Sequence, residues 1–326
     1  MPILLSEEDV RIVLSMSDLI PAMHEALAQF SAGRVEQPLR NVIEVGEDRA
    51  FFGVMPAYIR KPAVLGTKLV TVFARNEALK LPSHLATIVL NDATTGELLA
   101  VMDGRYITEA RTAAVSAASV QLLARKGANR LAILGSGVQA RSHLEAISSV
   151  TTLAEVRVWS PREEHRVAFA WEMQKQGEPS IQPLDSARDA VAGADIIVLA
   201  TASRQPVLEG AWVADGAHVC AIGACRPDQR EMDTALIKRA RLYVDSRTAA
   251  LAEAGDIVIP IAERAIDQRH ILGELGDLKI GRAEGRQSDR DVTIFKSLGM
   301  AVEDVAAAHL AYVRAAERGL GRGFVL

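Results

Sequence analysis

The sequence predicts an α/β protein: a doubly wound parallel sheet joined to a second, discontinuous α+β domain. After Gly127, short apolar runs alternate with helical patterns, the rhythm of right-handed βαβ units with helices on both faces. Before Gly127, strand-like runs follow one another across turn signals. An Ala-rich helical pattern over 293–318 closes the chain and is expected to pack back on the N-terminal third. At 326 residues, two domains are the simplest division, here 1–122 with 293–326, and 123–292.

The N-terminal elements follow from local signals. Ser6, ahead of Glu8 and Asp9, caps a first short helix. A second helix is expected over 17–30, with Ser17 or Asp18 as cap, Pro21 in its first turn and Gly33 past its end. Ile20, Met23, Leu27 and Phe30 make its apolar face. Strands are expected over 40–45, 50–55, 66–73 and 84–90. The turn string Asp92-Ala93-Thr94-Thr95-Gly96-Glu97 makes 84–91 and 98–103 a hairpin. A long helix over 107–126 stops at Gly127. Strands then fall at 130–134, 155–159, 196–200, 218–222 and 242–245, and helices at 139–148, 163–176 and 233–240.

Composition excludes several classes. Apolar residues are 49% and the net charge is −4, which excludes a disordered chain. The mildly acidic balance lacks the basic footprint of a nucleic-acid binder. No apolar run reaches the roughly 18 residues that a membrane helix needs. The start MPILLSEEDV lacks a basic stretch followed by an apolar one, so a cytoplasmic protein is expected. The two cysteines, Cys220 and Cys225, are expected to remain thiols in a reducing compartment.

The most informative string is Leu131-Ala132-Ile133-Leu134-Gly135-Ser136-Gly137-Val138-Gln139-Ala140. It is an apolar strand, then G-x-G-x-x-A, then a helix, with further βαβ units behind it. Gly135 permits a tight turn, Gly137 lets the backbone approach a pyrophosphate, and Ala140 allows close helix–strand contact. The helix amides and dipole favour the anion. The second strand ends in Ser160-Pro161-Arg162, where an NAD-preferring site usually carries an acid. A hydroxyl and a guanidinium suit a 2′-phosphate, so NADP(H) is the expected cofactor and NAD(H) the alternative. A solvated Arg162 at a helix start is the competing reading.

Three cations of the first domain lie outside any charge run: Arg40, Lys68 and Arg111. Lys68 sits among apolar residues on a strand, where an ammonium needs an anion or a carboxylate. The three can converge on a substrate carboxylate, or each can form a structural ion pair. A lone histidine such as His84 is more often structural than catalytic. His218, Cys220 and Cys225 offer only three ligands and read as packing, with no metal expected. No G-x-S-x-G nucleophile signature is present.

Several longer strings carry a resemblance over essentially the whole chain. They include Gln37-Pro38-Leu39-Arg40, Gly53-Val54-Met55-Pro56-Ala57-Tyr58, Thr67-Lys68-Leu69-Val70-Thr71 and Pro82-Ser83-His84. The run LLAVMDGRYITEARTAAVSA, Gly223-Ala224-Cys225-Arg226-Pro227-Asp228 and the segment 295–304 complete the set. The sequence resembles the ornithine cyclodeaminase/μ-crystallin family, most closely its μ-crystallin branch of ketimine reductases.

The resemblance implies a Rossmann-type domain, a second domain that binds substrate and makes a homodimer, and NAD(P)-dependent hydride transfer at the α-carbon of an amino or imino acid. It implies that residues matching Arg40, Lys68 and Arg111 hold the substrate carboxylate. Apart from the resemblance, Lys68 is the residue expected to deliver or relay a proton to the imine nitrogen, with His84 as a second proton source. The implied cofactor contacts are Ser83, His84, Arg111, Gly135, Gly137, Val138, Gln139, Ser160, Pro161, Arg162, Thr201, Ala202, Ile222, Ala224 and Lys296.

One position departs from the cyclodeaminases, which resemble a G-G-D-C-P-G pattern with Asp as acid/base. Aligned on Pro227, this chain has Cys225 there, and Asp228 lies three residues on. A thiol does not readily replace a carboxylate as base. The expectation is therefore a reductase of a small cyclic imino acid. A cyclodeaminase, an alanine dehydrogenase-like enzyme and a nucleotide-binding protein without turnover are the alternatives.

Overall fold

The computed structural model describes residues 1–46, 50–175 and 179–325. They divide into two compact units, Met1–Arg111 with Gly299–Leu326, and Thr112–Leu298. Sequence patterning had placed the junctions near 122 and 293.

The first unit is built on a mixed sheet. Its strands are β1 (Ile3–Leu5), β2 (Val35–Glu36), β3 (Asn41–Val45), β4 (Ala50–Arg60), β5 (Ala63–Val72), β6 (His84–Asn91), β7 (Leu98–Asp103) and β16 (Arg322–Gly323). The order is β16-β1-β7-β6-β5-β4-β2, with β3 beside β4. From β4 to β7 the pairing is antiparallel, and β6 and β7 form the expected hairpin. Alternation gives the strands one buried side: Met55, Ala57 and Ile59 in β4, Val64 and Val70 in β5, Ala86, Ile88 and Leu90 in β6. That side is covered by α11 (Ala301–Arg318), which buries Val302, Val305, Ala308, Ala311 and Ala315 and also packs on α2 (Met16–Ser31).

Capping explains two helix starts. Ser6 caps α1 (Glu7–Val13) in a capping box with Asp9. In α2 the cap is Ser15, whose Oγ accepts the Asp18 amide at 3.2 Å. Ser17 and Asp18 are therefore first-turn residues rather than caps, and Pro21 lies at the sixth helical position, beyond the first turn. The helix expected over 107–126 is α3 (Arg105–Leu123), and Gly127 follows in a turn with φ +76°.

The second unit is a parallel sheet of β8 (Arg130–Leu134), β9 (Glu155–Trp159), β10 (Ile181–Pro183), β11 (Ile196–Leu199), β12 (His218–Ala221), β13 (Arg241–Val244), β14 (Ile271–Glu274) and β15 (Thr293–Lys296). The order is β10-β9-β8-β11-β12-β15-β13-β14. Every pairing along it is parallel. Helices α4 (Val138–Ser148), α5 (Glu163–Met173), α6 (Ala187–Val191), α7 (Thr234–Arg239), α8 (Arg247–Glu253), α9 (Gly255–Ala262) and α10 (Leu275–Lys279) connect the strands. The inner strands read as continuous apolar runs because both faces are covered.

Two expectations need correction. Segment 293–318 is not helical throughout. Thr293-Ile294-Phe295-Lys296 is a buried strand between β12 and β13, and the helix starts only at Ala301. A β-branched and aromatic tetrad in a doubly covered position takes the strand that its neighbours offer. The helix over 163–176 ends at Met173, and Gln176 lies outside the described residues. Among the described residues no helix is long and apolar enough to cross a membrane.

Candidate active site

In the first unit, Lys68 projects from the side of β5 that faces α11, in register with Met55 and Ile88. An ammonium thus stands within an apolar surface, only 2% exposed. The start of α11 answers it: Lys68 Nζ lies 2.5 Å from Asp304 Oδ2 and 3.5 Å from Thr108 Oγ1. Arg111, on α3, donates from Nε to Asp304 Oδ1 at 2.9 Å and from Nη1 to Glu303 Oε2 at 2.8 Å. Glu303 also accepts the Met300 amide at 3.2 Å. Acids in a first helical turn are favoured by the helix dipole.

Gly299 closes the cluster. Its φ is +79°, and a Cβ there would lie 2.5 Å from Arg111 Nη1, so a side chain has no room. Its carbonyl accepts Arg40 Nη2 at 3.2 Å, and Gln37 Oε1 accepts the Val302 amide at 2.8 Å. The string Gln37–Arg40 is thereby fastened to the start of α11. The structure brings Arg40, Lys68 and Arg111 together. Arg40 is half-buried, while the other two are buried on carboxylates.

Burial pushes the Lys68 ammonium down to about 8, with Arg111 and Arg40 adding to the fall and Asp304 opposing it. Asp304 would be raised by burial, but Arg111 and Lys68 hold it below the usual carboxylate range. His84 opens β6, half-buried, and burial with the nearby Lys68 and Arg111 lowers it to about 4. It is therefore neutral near pH 7 and a poor acid there. Ser83 is exposed beside it.

In the second unit, β8 feeds the glycine turn into α4. Gly135 has φ +124°, and a Cβ would lie 2.4 Å from the Ala200 carbonyl. Gly137, the N-cap of α4, is exposed with nothing within 4 Å of a Cβ. The residues present therefore fit a pyrophosphate: the tight turn is forced at Gly135, and the approach is open at Gly137. Val138 is exposed, Gln139 half-buried and Ala140 buried. At the end of β9, Ser160 is buried and its hydroxyl donates to the Arg162 carbonyl at 3.2 Å. Pro161 and Arg162 are exposed, and Arg162 is the N-cap residue of α5.

Thr201 and Ala202 follow β11, and Ile222 and Ala224 follow β12, at the carboxyl ends where open α/β sheets bind ligands. Lys296 ends β15 fully buried, 3.1 Å from Asp256 Oδ2. Cys225 is half-buried with Sγ toward the Ile222 carbonyl at 3.4 Å, and Asp228 is exposed. His218 uses both ring nitrogens within the core, on Ser119 Oγ and Thr293 Oγ1, each at 2.9 Å. Among the described residues no group of three or more His, Cys, Asp or Glu is placed to hold a metal.

Sequence reasoning missed the acids. Glu303 and Asp304 lie in a string that carried the resemblance, and their place in the first turn of an apolar-faced helix was the available signal. Glu231 and Asp256, both fully buried, had no signal in their spacing.

A parallel sheet with an open glycine turn after its strand β8, in a chain whose other unit holds a buried cation–carboxylate cluster, defines an α/β protein of the dinucleotide-binding type. The chain belongs to the ornithine cyclodeaminase/mu-crystallin family, whose model matches residues 1–319. It is 46% identical over 315 residues to the ketimine reductase mu-crystallin of Mus musculus, covering 95% of this chain and 96% of that protein. The structure of Thermococcus litoralis Delta(1)-pyrroline-2-carboxylate reductase in complex with NADH and L-proline superposes with a TM-score of 0.96 at 38% identity, covering 99% of this chain and 100% of that one. An archaeal alanine dehydrogenase dimer with bound NAD gives 0.94 at 31% identity, covering 100% of this chain and 99% of that one.

Proposed function

We propose that the protein is an NAD(P)H-dependent ketimine reductase that converts Δ1-pyrroline-2-carboxylate or Δ1-piperideine-2-carboxylate to L-proline or L-pipecolate. The convergence of Arg40, Lys68 and Arg111 on the start of α11 carries this reading. Relatives named for ketimine and pyrroline-2-carboxylate reduction support it.

The guanidinium groups of Arg40 and Arg111 bind the substrate carboxylate and fix the imine carbon, and such positioning supplies most of the rate. The bound cofactor supplies the hydride. As the imine carbon gains it, the C=N electron pair moves to nitrogen, which takes a proton from the Lys68 ammonium; water then restores Lys68. Its lowered affinity for the proton suits a donor working near neutral pH. Asp304 keeps the ammonium charged and aimed.

Gly135, Gly137, Val138 and Gln139 form the pyrophosphate turn. Ser83, His84, Arg111, Thr201, Ala202, Ile222, Ala224 and Lys296 are the further cofactor positions. We favour NADP(H) over NAD(H), because Ser160-Pro161-Arg162 offers an exposed guanidinium and no acid at the end of β9. A homodimer is supported by apolar residues left exposed on the first sheet: Val42, Ile43, Leu65 and Leu85. Light scattering should give a dimer for the native chain and a monomer for Ile43→Lys/Leu65→Lys.

The deciding experiment follows NAD(P)H oxidation with each cyclic imine beside ammonia release from L-ornithine and L-alanine with NAD+. Imine-dependent oxidation without ammonia is expected. Ammonia from ornithine would make the chain a cyclodeaminase despite Cys225, and ammonia from alanine an amino-acid dehydrogenase. Nucleotide binding without turnover would leave a binding protein.

A further inference from the structure

Glu231 is fully buried. Its Oε1 accepts the Thr201 amide and the Thr201 hydroxyl, each at 2.7 Å. Its Oε2 accepts the amides of Gly223 at 2.8 Å and Ala224 at 3.2 Å. One carboxylate thus ties together the segments leaving the carboxyl ends of adjacent strands β11 and β12. The segments meet so closely that a Cβ on Gly223 would lie 2.1 Å from the Thr201 carbonyl oxygen. Three backbone amides can only donate to these oxygens, while the Thr201 hydroxyl can donate or accept, so the contacts hold the carboxylate against a burial that raises its pKa.

The carboxylate is itself held. Asp256 Oδ1 accepts the Glu231 and Met232 amides at 2.8 and 3.0 Å, and Asp256 Oδ2 faces Lys296 Nζ at 3.1 Å. All three side chains are fully buried. Burial works to raise Glu231, and Lys296 opposes it. Asp256 and Glu231, with Cys225, hold Lys296 up against its own burial.

We propose that Glu231, backed by Asp256 and Lys296, is a positioning residue that sets the floor for the nicotinamide half of the cofactor. This rests on the nucleotide reading above. A dinucleotide whose pyrophosphate lies at the β8 turn extends one half over β9 and the other across the switch point over β11 and β12. Glu231 acts only on the second half.

The test compares NADPH with ADP-ribose 2′-phosphate, which lacks the nicotinamide, in titrations of the native chain, Glu231→Gln and Thr201→Val. Replacing Glu231 by Gln turns donors toward donors. NADPH affinity should fall about tenfold, equivalent to losing one or two buried hydrogen bonds. ADP-ribose 2′-phosphate affinity should hold within about twofold, and kcat should fall while KM for the imine does not move. Thr201→Val, which keeps the amide bond to Glu231 but loses the hydroxyl bond to it and the one accepted from the Ser203 amide, should shift the same quantities less and serves if Glu231→Gln does not fold. Equal losses for both ligands, or unchanged kcat and affinity with only a lower Tm, would overturn the proposal. A native chain that binds neither ligand would overturn the nucleotide reading instead.

Discussion

Lys68 Nζ and Asp304 Oδ2 are 2.5 Å apart, each side chain buried, one on a strand and the other in the first turn of the helix that covers it. Asp304 favours the charged form of Lys68, while Arg111 and Arg40 oppose it. Loss of the ammonium proton should therefore end turnover as the pH rises through about 8. In Asp304→Asn the opposing cations act alone, so the limb should move to lower pH. That variant should also lose about 3 kcal/mol of stability, because Lys68 and Arg111 stay buried without their shared charge. A kcat–pH profile and denaturant unfolding read both, and an unmoved limb would separate Lys68 from the proton transfer.

Lys68→Ala should lower kcat at least about a hundredfold, the usual worth of a positioned proton donor. NADPH affinity should change little, because the glycine turn is built on β8 and α4, in a different part of the chain. Single-turnover rates beside a fluorescence titration decide it. A near-normal rate would remove Lys68 from the chemistry.

Arg162→Ala should raise KM for NADPH about tenfold and leave KM for NADH within about twofold, as expected for one charge-assisted contact to a 2′-phosphate. Arg162 is exposed on the N-cap of α5, so its removal should not shift Tm. Equal effects on both nucleotides would return the preference to NAD(H).

The two glycines of the turn should fail in different ways. Gly135→Ala meets the Ala200 carbonyl at φ +124° and should cost about 1–3 kcal/mol of stability. Gly137→Ala meets nothing within 4 Å, so its Tm should hold while nucleotide affinity falls. Thermal unfolding with and without nucleotide distinguishes them.

Local pattern made most of the second unit legible. Strands buried on both faces need near-continuous apolar runs, which is why 130–134 matches β8, whereas 155–159 matches β9 through alternation that buries Val156 and Val158. Caps were legible where one polar residue preceded the helix, as at Ser6, but not where Ser15 and Ser17 competed. Lys68 showed itself as a charge within an apolar strand and so announced that it needed an anion. Its partner, 236 positions further along the chain, has no local signature that names it.

By itself, then, the sequence determined the βαβ rhythm, the glycine turn and the three cations, because each is written in neighbours along the chain. Only the tertiary structure decided that Thr293–Lys296 is a strand, that Glu303 and Asp304 neutralise Lys68 and Arg111, and that Glu231 joins the ends of β11 and β12. The physical reason is common to all three. A buried charge or backbone group must find its partner wherever packing brings one, and that partner is set by proximity in space rather than by spacing in sequence.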